Sequence, residues 1–323
     1  MTDDVIIHSY QINGDGSGTP LSSKEIENRT PEKGLAWVHL DSSKEAASEW
    51  LMKYLSVSPE TCEALFDQAT RPRNIMMKEG FLVILRGVNC NPGQDPEDMV
   101  AIRMLFCEHI IISSRNRRVM AVQEIQQMLD TGKGPCSKGE FLLMVAEKMT
   151  DRMGDVIQEL EESMDDLETQ VVNTDSHELL PKLADTRRVA ISLRRYIAPQ
   201  RDSLSRLILE KLPWFQDSDR MMLRGVAERT ARFVEDIDSA KERAIISQEE
   251  IRSQLSEKMN KAMYTLAIIT AVFLPLGLLT GLLGINVGGI PGTEFRWAFT
   301  IVALGILGIA VALVIWFKKI RWL

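Results

Sequence analysis

Two long stretches near the C-terminal end of the chain lack any charged side chain, and they constrain its fold more than any other feature. Residues 262–293 and 297–317 contain no Asp, Glu, Lys or Arg. A transmembrane helix needs about 20 consecutive, mostly apolar residues, and each stretch is long enough to supply one. The sequence therefore predicts two membrane spans, at about 264–283 and 297–317, after a large polar part of the chain.

The acidic charge of the chain lies before these two stretches. The formal net charge is -7 at pH 7, whereas residues 263–323 contain four basic side chains and one acidic side chain. The preceding residues therefore carry a net charge of -10. An acidic surface repels phosphate backbones, which argues against a nucleic-acid partner. The charge is compatible with metal cations or with solubility alone.

The N-terminus and the cysteines predict a cytosolic location for this polar part. Met1-Thr2-Asp3-Asp4 is acidic and no apolar segment follows it, so we expect no signal peptide. The cysteines are far apart and form no CxxC pair, which fits a reducing compartment without disulfides. They are Cys62, Cys90, Cys107 and Cys136.

The first 118 residues predict an α+β fold, a small mixed or antiparallel sheet flanked by helices. Residues 36–40 form an apolar strand, and two hairpins are expected over 75–85 and 99–113, with turns at Glu79-Gly80 and near Glu108-His109. Helical spacing of apolar residues over 43–55 predicts a helix beside this sheet.

Residues 119–262 predict a helical part that ends in a stalk. Helices are expected over 119–129, 140–172, 179–205 and 218–261. Residues 257–264 contain neither Gly nor Pro, so the last helix is expected to continue into the first span. Apolar side chains recur along it at intervals of 3, 4 or 7, which favours an oligomer seam. They are Ile237, Ala244, Ile251, Leu255, Met259 and Ala262.

Basic residues predict the orientation of the transmembrane part, residues 263–323. Lys258 and Lys261 precede the first span, whereas the connecting loop, 284–296, contains one basic and one acidic residue. By the positive-inside rule both ends are cytosolic and the loop is outside. The tail, 318–323, contributes Lys318, Lys319 and Arg321 as a cytosolic basic ring, which either restrains cation flow or only anchors the chain.

The first span offers a wall for a pore. Two helices cannot enclose a pore, so several chains would have to surround one axis. The alternative is close helix packing through the small-residue pair Gly277 and Gly281. The candidate pore-lining residues share one helical stripe, which begins with large side chains and ends with small ones: Met263, Leu266, Thr270, Leu274, Gly277, Gly281 and Gly284.

Other candidate sites are weaker. Cys107 and His109 are zinc-binding residue types, although a buried cysteine and a surface histidine are the favoured explanation. The acidic run 159–168 could collect cations or could be a solvated face. No nucleotide-binding or hydrolase motif is present, so we expect no enzymatic activity and no cofactor.

Two motifs resemble a known family. Gly284-Ile285-Asn286 follows the first span, and the chain ends with Lys318-Lys319-Ile320-Arg321-Trp322-Leu323. This pattern resembles the CorA family of divalent metal ion transporters, in which the turn reads Gly-Met-Asn. The loop 286–292 and the run 194–202, which reads Arg-Arg-Tyr-Ile-Ala-Pro-Gln-Arg-Asp, resemble the zinc-transporting ZntB branch of that family.

The resemblance implies a funnel-shaped homopentamer in a bacterial inner membrane, with the first span around a central pore. It implies zinc uptake, coupled to protons, with Gly284, Ile285 and Asn286 at the outer mouth. Five Asn286 amides would meet the hydrated Zn²⁺, or Asn286 would only cap the helix end. A Mg²⁺, Co²⁺ or Ni²⁺ channel of the same architecture is one alternative, and a membrane-anchored scaffold or sensor is another.

Overall fold

The computed structural model describes residues 5–67, 71–173, 178–285, 292 and 295–319. Within these residues the N-terminal part contains one seven-stranded sheet with the strand order β2-β1-β3-β7-β6-β5-β4. In chain order the strands are β1 (Ile6–Ile12), β2 (Gly18–Pro20), β3 (Ala36–Asp41), β4 (Arg73–Met76), β5 (Phe81–Gly87), β6 (Val100–Phe106) and β7 (Ile110–Arg115).

The sheet is mixed, as the sequence predicts. The central pair, β3 and β7, is parallel, with Val38 opposite Ile112, and every other pair is antiparallel. Both predicted hairpins are present, as β4–β5 and β6–β7. The short edge strand β2 was not predicted, because its three residues are too few to show alternation.

Helices cover both faces of the sheet. One face packs against the group that contains α1 (Ser23–Glu27), α2 (Ala46–Tyr54) and α3 (Pro59–Phe66). The other face packs against α4 (Met120–Asp130) and the start of α5 (Lys138–Asn173). Strand β6 therefore reads as an almost continuous apolar run, as is typical of a strand buried on both faces.

Three long helices form a second core. Helix α5 packs with α6 (Leu179–Leu209) and with the first part of α7 (Asp217–Gly284) around Met153, Leu193, Ile197 and Ile237. The guanidinium of Arg243 on α7 pairs with Asp165 and Glu168 on α5. These contacts hold the acidic run of α5 against α7.

This packing corrects the predicted oligomer seam. Ile237 and Ala244 are fully buried within the single chain, and Ile251 is buried as well. The first half of the predicted seam is therefore a face of the chain's own core. Leu255 is half-buried, and Met259 and Ala262 are exposed. The prediction of a seam between copies remains open only for these later positions.

Helix α7 continues without a break to Gly284, as the sequence predicts. At about 1.5 Å per residue, its 68 residues extend over about 100 Å. By contacts the chain divides into two units, Met1–Gln248 and Glu249–Leu323. The second unit contains the rest of α7 and the apolar helix α8 (Ala298–Lys319).

Candidate transmembrane pore segment

The two C-terminal helical segments are long and apolar enough to cross a membrane. Their most apolar 18-residue windows have mean hydropathy values of 2.4 in α7 and 2.8 in α8, and none of the residues in these windows is buried. Large apolar side chains such as Leu266 and Leu274 are exposed, at 64% and 67%. An apolar surface of this extent needs a lipid or protein cover.

The membrane segment of α7 has two different faces. One face is half-covered in the single chain, and its members recur at helical spacing: Ile268, Ala271, Val272, Pro275, Leu276 and Leu279. At 100° per residue, the predicted pore-lining stripe lies on the opposite face. All of its members are exposed: Met263, Leu266, Thr270, Leu274, Gly277, Gly281 and Gly284.

The glycines of this stripe pack against nothing in the described part of their own chain. A Cβ built on Gly277, Gly281 or Gly284 meets no heavy atom within 4 Å. Helix α8 has a covered stripe of its own, formed by Ile306, Ala310, Leu313 and Phe317. Packing of the glycines against α8 of the same chain therefore does not explain them. A pore lumen, a contact with another copy and exposure to lipid are the explanations that remain.

The threonine hydroxyl groups of this segment are satisfied within the helix. Thr270 Oγ1 donates to the carbonyl oxygen of Leu266 at 2.8 Å, and Thr280 Oγ1 donates to that of Leu276 at 3.0 Å. Helix α7 also continues through Pro275. Because proline lacks an N–H, the carbonyl of Ala271 loses its usual helical donor. The stripe itself therefore combines apolar side chains, the bare backbone of its glycines and the Thr270 hydroxyl.

The ends of the spans contain the other predicted site residues. Gly284 is the last residue of α7, and the side chain of Ile285 is half-exposed. Asn286 and Arg321 lie outside the described residues, so their predicted roles stay predictions. Lys318 and Lys319 are exposed in the last turn of α8.

Cys107 and His109 lie together in the N-terminal unit, at the β6–β7 turn. They line a pocket of about 280 Å³ with Glu79. Burial, with a smaller contribution from Glu79, raises the pKa of the Cys107 thiol to about 12, which disfavours the thiolate that binds zinc. In the described part of the chain, no three His, Cys, Asp or Glu side chains are grouped closely enough to hold a metal ion.

The run 194–202 joins α6 to the sheet. The guanidinium of Arg86 on β5 lies 4.2 Å from the ring centre of Tyr196. The backbone N–H of Arg86 donates to Oε1 of the buried Gln200 at 2.7 Å. Arg194 pairs with Asp238 on α7 at 2.6 Å. This motif therefore has a structural role, because it fixes α6 between β5 and α7.

The α+β unit, the long helix α7 with its apolar C-terminal part, and the apolar helix α8 together define a class, proteins with a large N-terminal domain and two candidate membrane spans. Residues 32–319 match the family model described as "CorA-like Mg2+ transporter protein", and the chain belongs to this family. Members of this family are transporters and not enzymes.

Named relatives are similar over nearly the whole chain. The zinc transport protein ZntB of Pectobacterium atrosepticum is 38% identical over 319 residues, which are 98% of this chain and 96% of the relative. The divalent cation transporter CmaX of Pseudomonas aeruginosa is 38% identical over 326 residues, and the match covers 98% of this chain and 97% of that relative. The solved structure of the full-length CmaX protein matches with a TM-score of 0.85 at 36% identity, covering 99% of this chain and 98% of that one.

Proposed function

We propose that the chain is a zinc transporter of the bacterial inner membrane, which imports Zn²⁺ through a pore at the centre of a homopentamer. Membership of the CorA family supports divalent cation transport. The name of the 38% identical zinc transport protein ZntB favours zinc as the cargo. In this proposal α7 lines the pore and α8 faces the lipid.

One observation carries the proposal: the stripe of α7 that includes Thr270, Gly277 and Gly281 is uncovered, on the face opposite the covered one. A helix that only anchored a soluble unit would need no stripe that ends in glycines, because lipid accepts large apolar side chains all round. The gradual change from Met263 and Leu266 to glycines widens the space beside the helix toward its outer end. This is the shape of a wall that admits a hydrated ion.

Selectivity is proposed to reside at Gly284, Ile285 and Asn286. An amide oxygen accepts hydrogen bonds from the water shell of a cation, so a ring of Asn286 side chains would hold a hydrated ion without removing its shell. Gly284 ends the helix just before this ring. A glycine there lets the chain turn tightly.

Orientation and coupling complete the proposal. Lys258 and Lys261 before the first span, with Lys318 and Lys319 after the second, favour cytoplasmic termini. No Asp, Glu, His, Lys or Arg occurs in residues 262–293 or 297–317. Proton coupling therefore has to use Glu294, groups of the N-terminal unit or water.

Metal flux into proteoliposomes tests this function. We expect saturable Zn²⁺ uptake by the full-length protein, faster when the outside is more acidic than the lumen, and weak competition by Mg²⁺. Protein-free vesicles and vesicles with the gradient collapsed by a protonophore are the controls. Preferred Mg²⁺, Co²⁺ or Ni²⁺ flux would instead support a channel of the same architecture, and no metal flux at all would support a scaffold or sensor.

A further inference from the structure

A pocket lined by arginines opens at one edge of the sheet in the N-terminal unit. It has a volume of about 260 Å³ and lies where β5 and β7 end and β6 begins. Its charged lining consists of Arg86, Asp98, Arg103 and Arg117. Arg86 pairs with Ala101 across β5 and β6, and Arg103 pairs with Ile84. The two arginines are therefore diagonal neighbours on one face of the sheet.

Arg103 is an unusual residue for its position. It lies in the central part of a buried strand, and its side chain is only 2% exposed. Nη2 donates to the carbonyl oxygen of Asp67. Nε and Nη1 are buried and, within the described residues, have no hydrogen-bond partner. A buried charge with unsatisfied donors is costly unless a counter-charge meets it.

The surrounding groups leave the pocket positive. Arg86 Nη1 donates to the carbonyl oxygen of Met99 at 2.9 Å. Arg117 pairs with Asp98 at the rim. Three guanidinium groups and one carboxylate thus line the pocket, and the carboxylate of Asp67 also acts on Arg103. Burial, and next the charge of Arg86, lowers the pKa of the Arg103 guanidinium. An anion between Arg86 and Arg103 would remove this repulsion.

We propose that this pocket binds an oxyanion of the phosphate class, either inorganic phosphate or the phosphate group of a small metabolite. The positive excess of the lining favours an anion, and the two buried donors of Arg103 without a partner in the described residues can meet its oxygens. The planar guanidinium of arginine can donate two parallel hydrogen bonds to two oxygens of the oxyanion. The volume admits a phosphate group with a small substituent. At the rim the negative charge of Asp98 opposes the binding of an anion, and the positive charge of Arg117 offsets this effect.

Titration calorimetry of the full-length protein in detergent tests the site. The probes are inorganic phosphate and adenosine monophosphate, with chloride at matched ionic strength as the reference. We expect saturable binding of at least one probe, and the tighter of the two identifies the source of the phosphate group. Arg103→Met should weaken binding tenfold or more, because charged hydrogen bonds are lost. The matched control, Arg201→Met, alters a half-exposed arginine paired with Asp202 and should bind as the wild type does.

Two rim variants keep the proposal testable if Arg103→Met fails to fold. Asp98→Asn removes the opposing carboxylate and should tighten binding severalfold, whereas Arg117→Gln should weaken it. A purely structural role of these residues predicts no such opposite effects. The proposal is overturned if neither phosphate nor adenosine monophosphate binds saturably, or if Arg103→Met or Asp98→Asn binds with wild-type affinity.

Discussion

At the scale of single residues, His39 on β3 is a fully buried titratable group in the N-terminal unit. Its Nδ1 lies 2.7 Å from Ser113 Oγ, which also accepts a hydrogen bond from Trp37 Nε1 at 2.7 Å. Burial lowers the pKa of His39 well below its usual value, and the positive charge of Arg115 and the neighbouring His8 lower it further. The folded chain therefore holds His39 as the neutral imidazole.

This lowered pKa predicts a loss of stability in acid. The unfolded chain protonates His39 below about pH 6.5, whereas the folded chain does not until the pH reaches the lower folded-state pKa. The stabilisation is therefore complete above pH 6.5 and declines as the pH falls below it, by at most about 1.4 kcal/mol per pH unit. The midpoint of thermal unfolding should change less between pH 8 and pH 5.5 in His39→Asn than in the wild-type protein. The half-exposed His109→Asn is the control, and equal slopes in all three proteins would contradict the prediction.

Asn286 is the single residue on which transport is expected to depend most. Asn286→Ala removes the amide and should abolish Zn²⁺ uptake while the oligomer remains intact, as checked by proteoliposome flux and by mass. If the amide only caps α7, Asn286→Gly should be tolerated, because glycine suits a helix end. A functional Asn286→Gly protein with unchanged ion preference would overturn the selectivity role.

At the scale of elements, sequence periodicity located the helices but not the partner of each face. The positions of α4 to α8 follow from apolar spacing and from the uncharged stretches. The burial of Ile237 and Ala244 could not be read from the same spacing, because a core face and an oligomer seam share one period. Which of the two applies depends on where α5 and α6 pack, and this is a tertiary property.

The arginine pocket escaped sequence reasoning for a related reason. The only signal was one charged residue, Arg103, in the otherwise apolar strand Val100–Phe106. Strand pairing is what brings Arg86 of β5 beside it. The members of the α7 stripe, in contrast, could be grouped from the sequence, because they belong to a single helix whose geometry is known in advance.

The proposed pore wall on α7 and the proposed lipid face of α8 predict different tolerance of bulk at two glycines. Gly281 lies on the uncovered stripe of α7, and Gly308 lies on α8 opposite its covered stripe. A Cβ at either meets nothing within 4 Å in the single chain. Gly281→Leu should reduce Zn²⁺ flux tenfold or more, because five leucines would narrow the lumen, whereas Gly308→Leu should face lipid and leave flux unchanged.

Size measurement of the Gly281→Leu complex separates a pore lumen from close packing between copies. An intact oligomer without flux supports a lumen, and a dissociated oligomer supports close packing between copies. Wild-type flux in Gly281→Leu would contradict both roles for the stripe.

At the scale of the whole molecule, the exposed apolar surface of the second unit requires a cover of lipid or protein. We expect a homopentamer in mild detergent, held by the first span and by the part of α7 around Leu255 and Met259, which its own chain leaves partly or fully uncovered. Mass measurement of the intact complex checks this expectation. A monomer or a dimer under conditions that preserve metal flux would refute it.

The basic residues after the second span predict a further property of the assembly. Five copies of Lys318, Lys319 and Arg321 would place a ring of positive charge near the cytoplasmic exit, where it repels cations. Replacing all three by Gln should increase Zn²⁺ flux severalfold while protease accessibility shows the same orientation. Unchanged flux with unchanged orientation would mean that these residues act only as membrane anchors.

The hydroxyl of Thr270 has a consequence for the sign of the ions that could pass beside it. Its hydrogen is used by the Leu266 carbonyl, so the oxygen presents only lone pairs to its surroundings. Waters around a cation point their hydrogens outward, and those around an anion point their oxygens outward. A ring of such threonines would accept hydrogen bonds from the hydration shell of a cation, and it would donate none to the hydration shell of an anion. An uncharged wall can in this way distinguish positive from negative ions by the orientation of the water they carry.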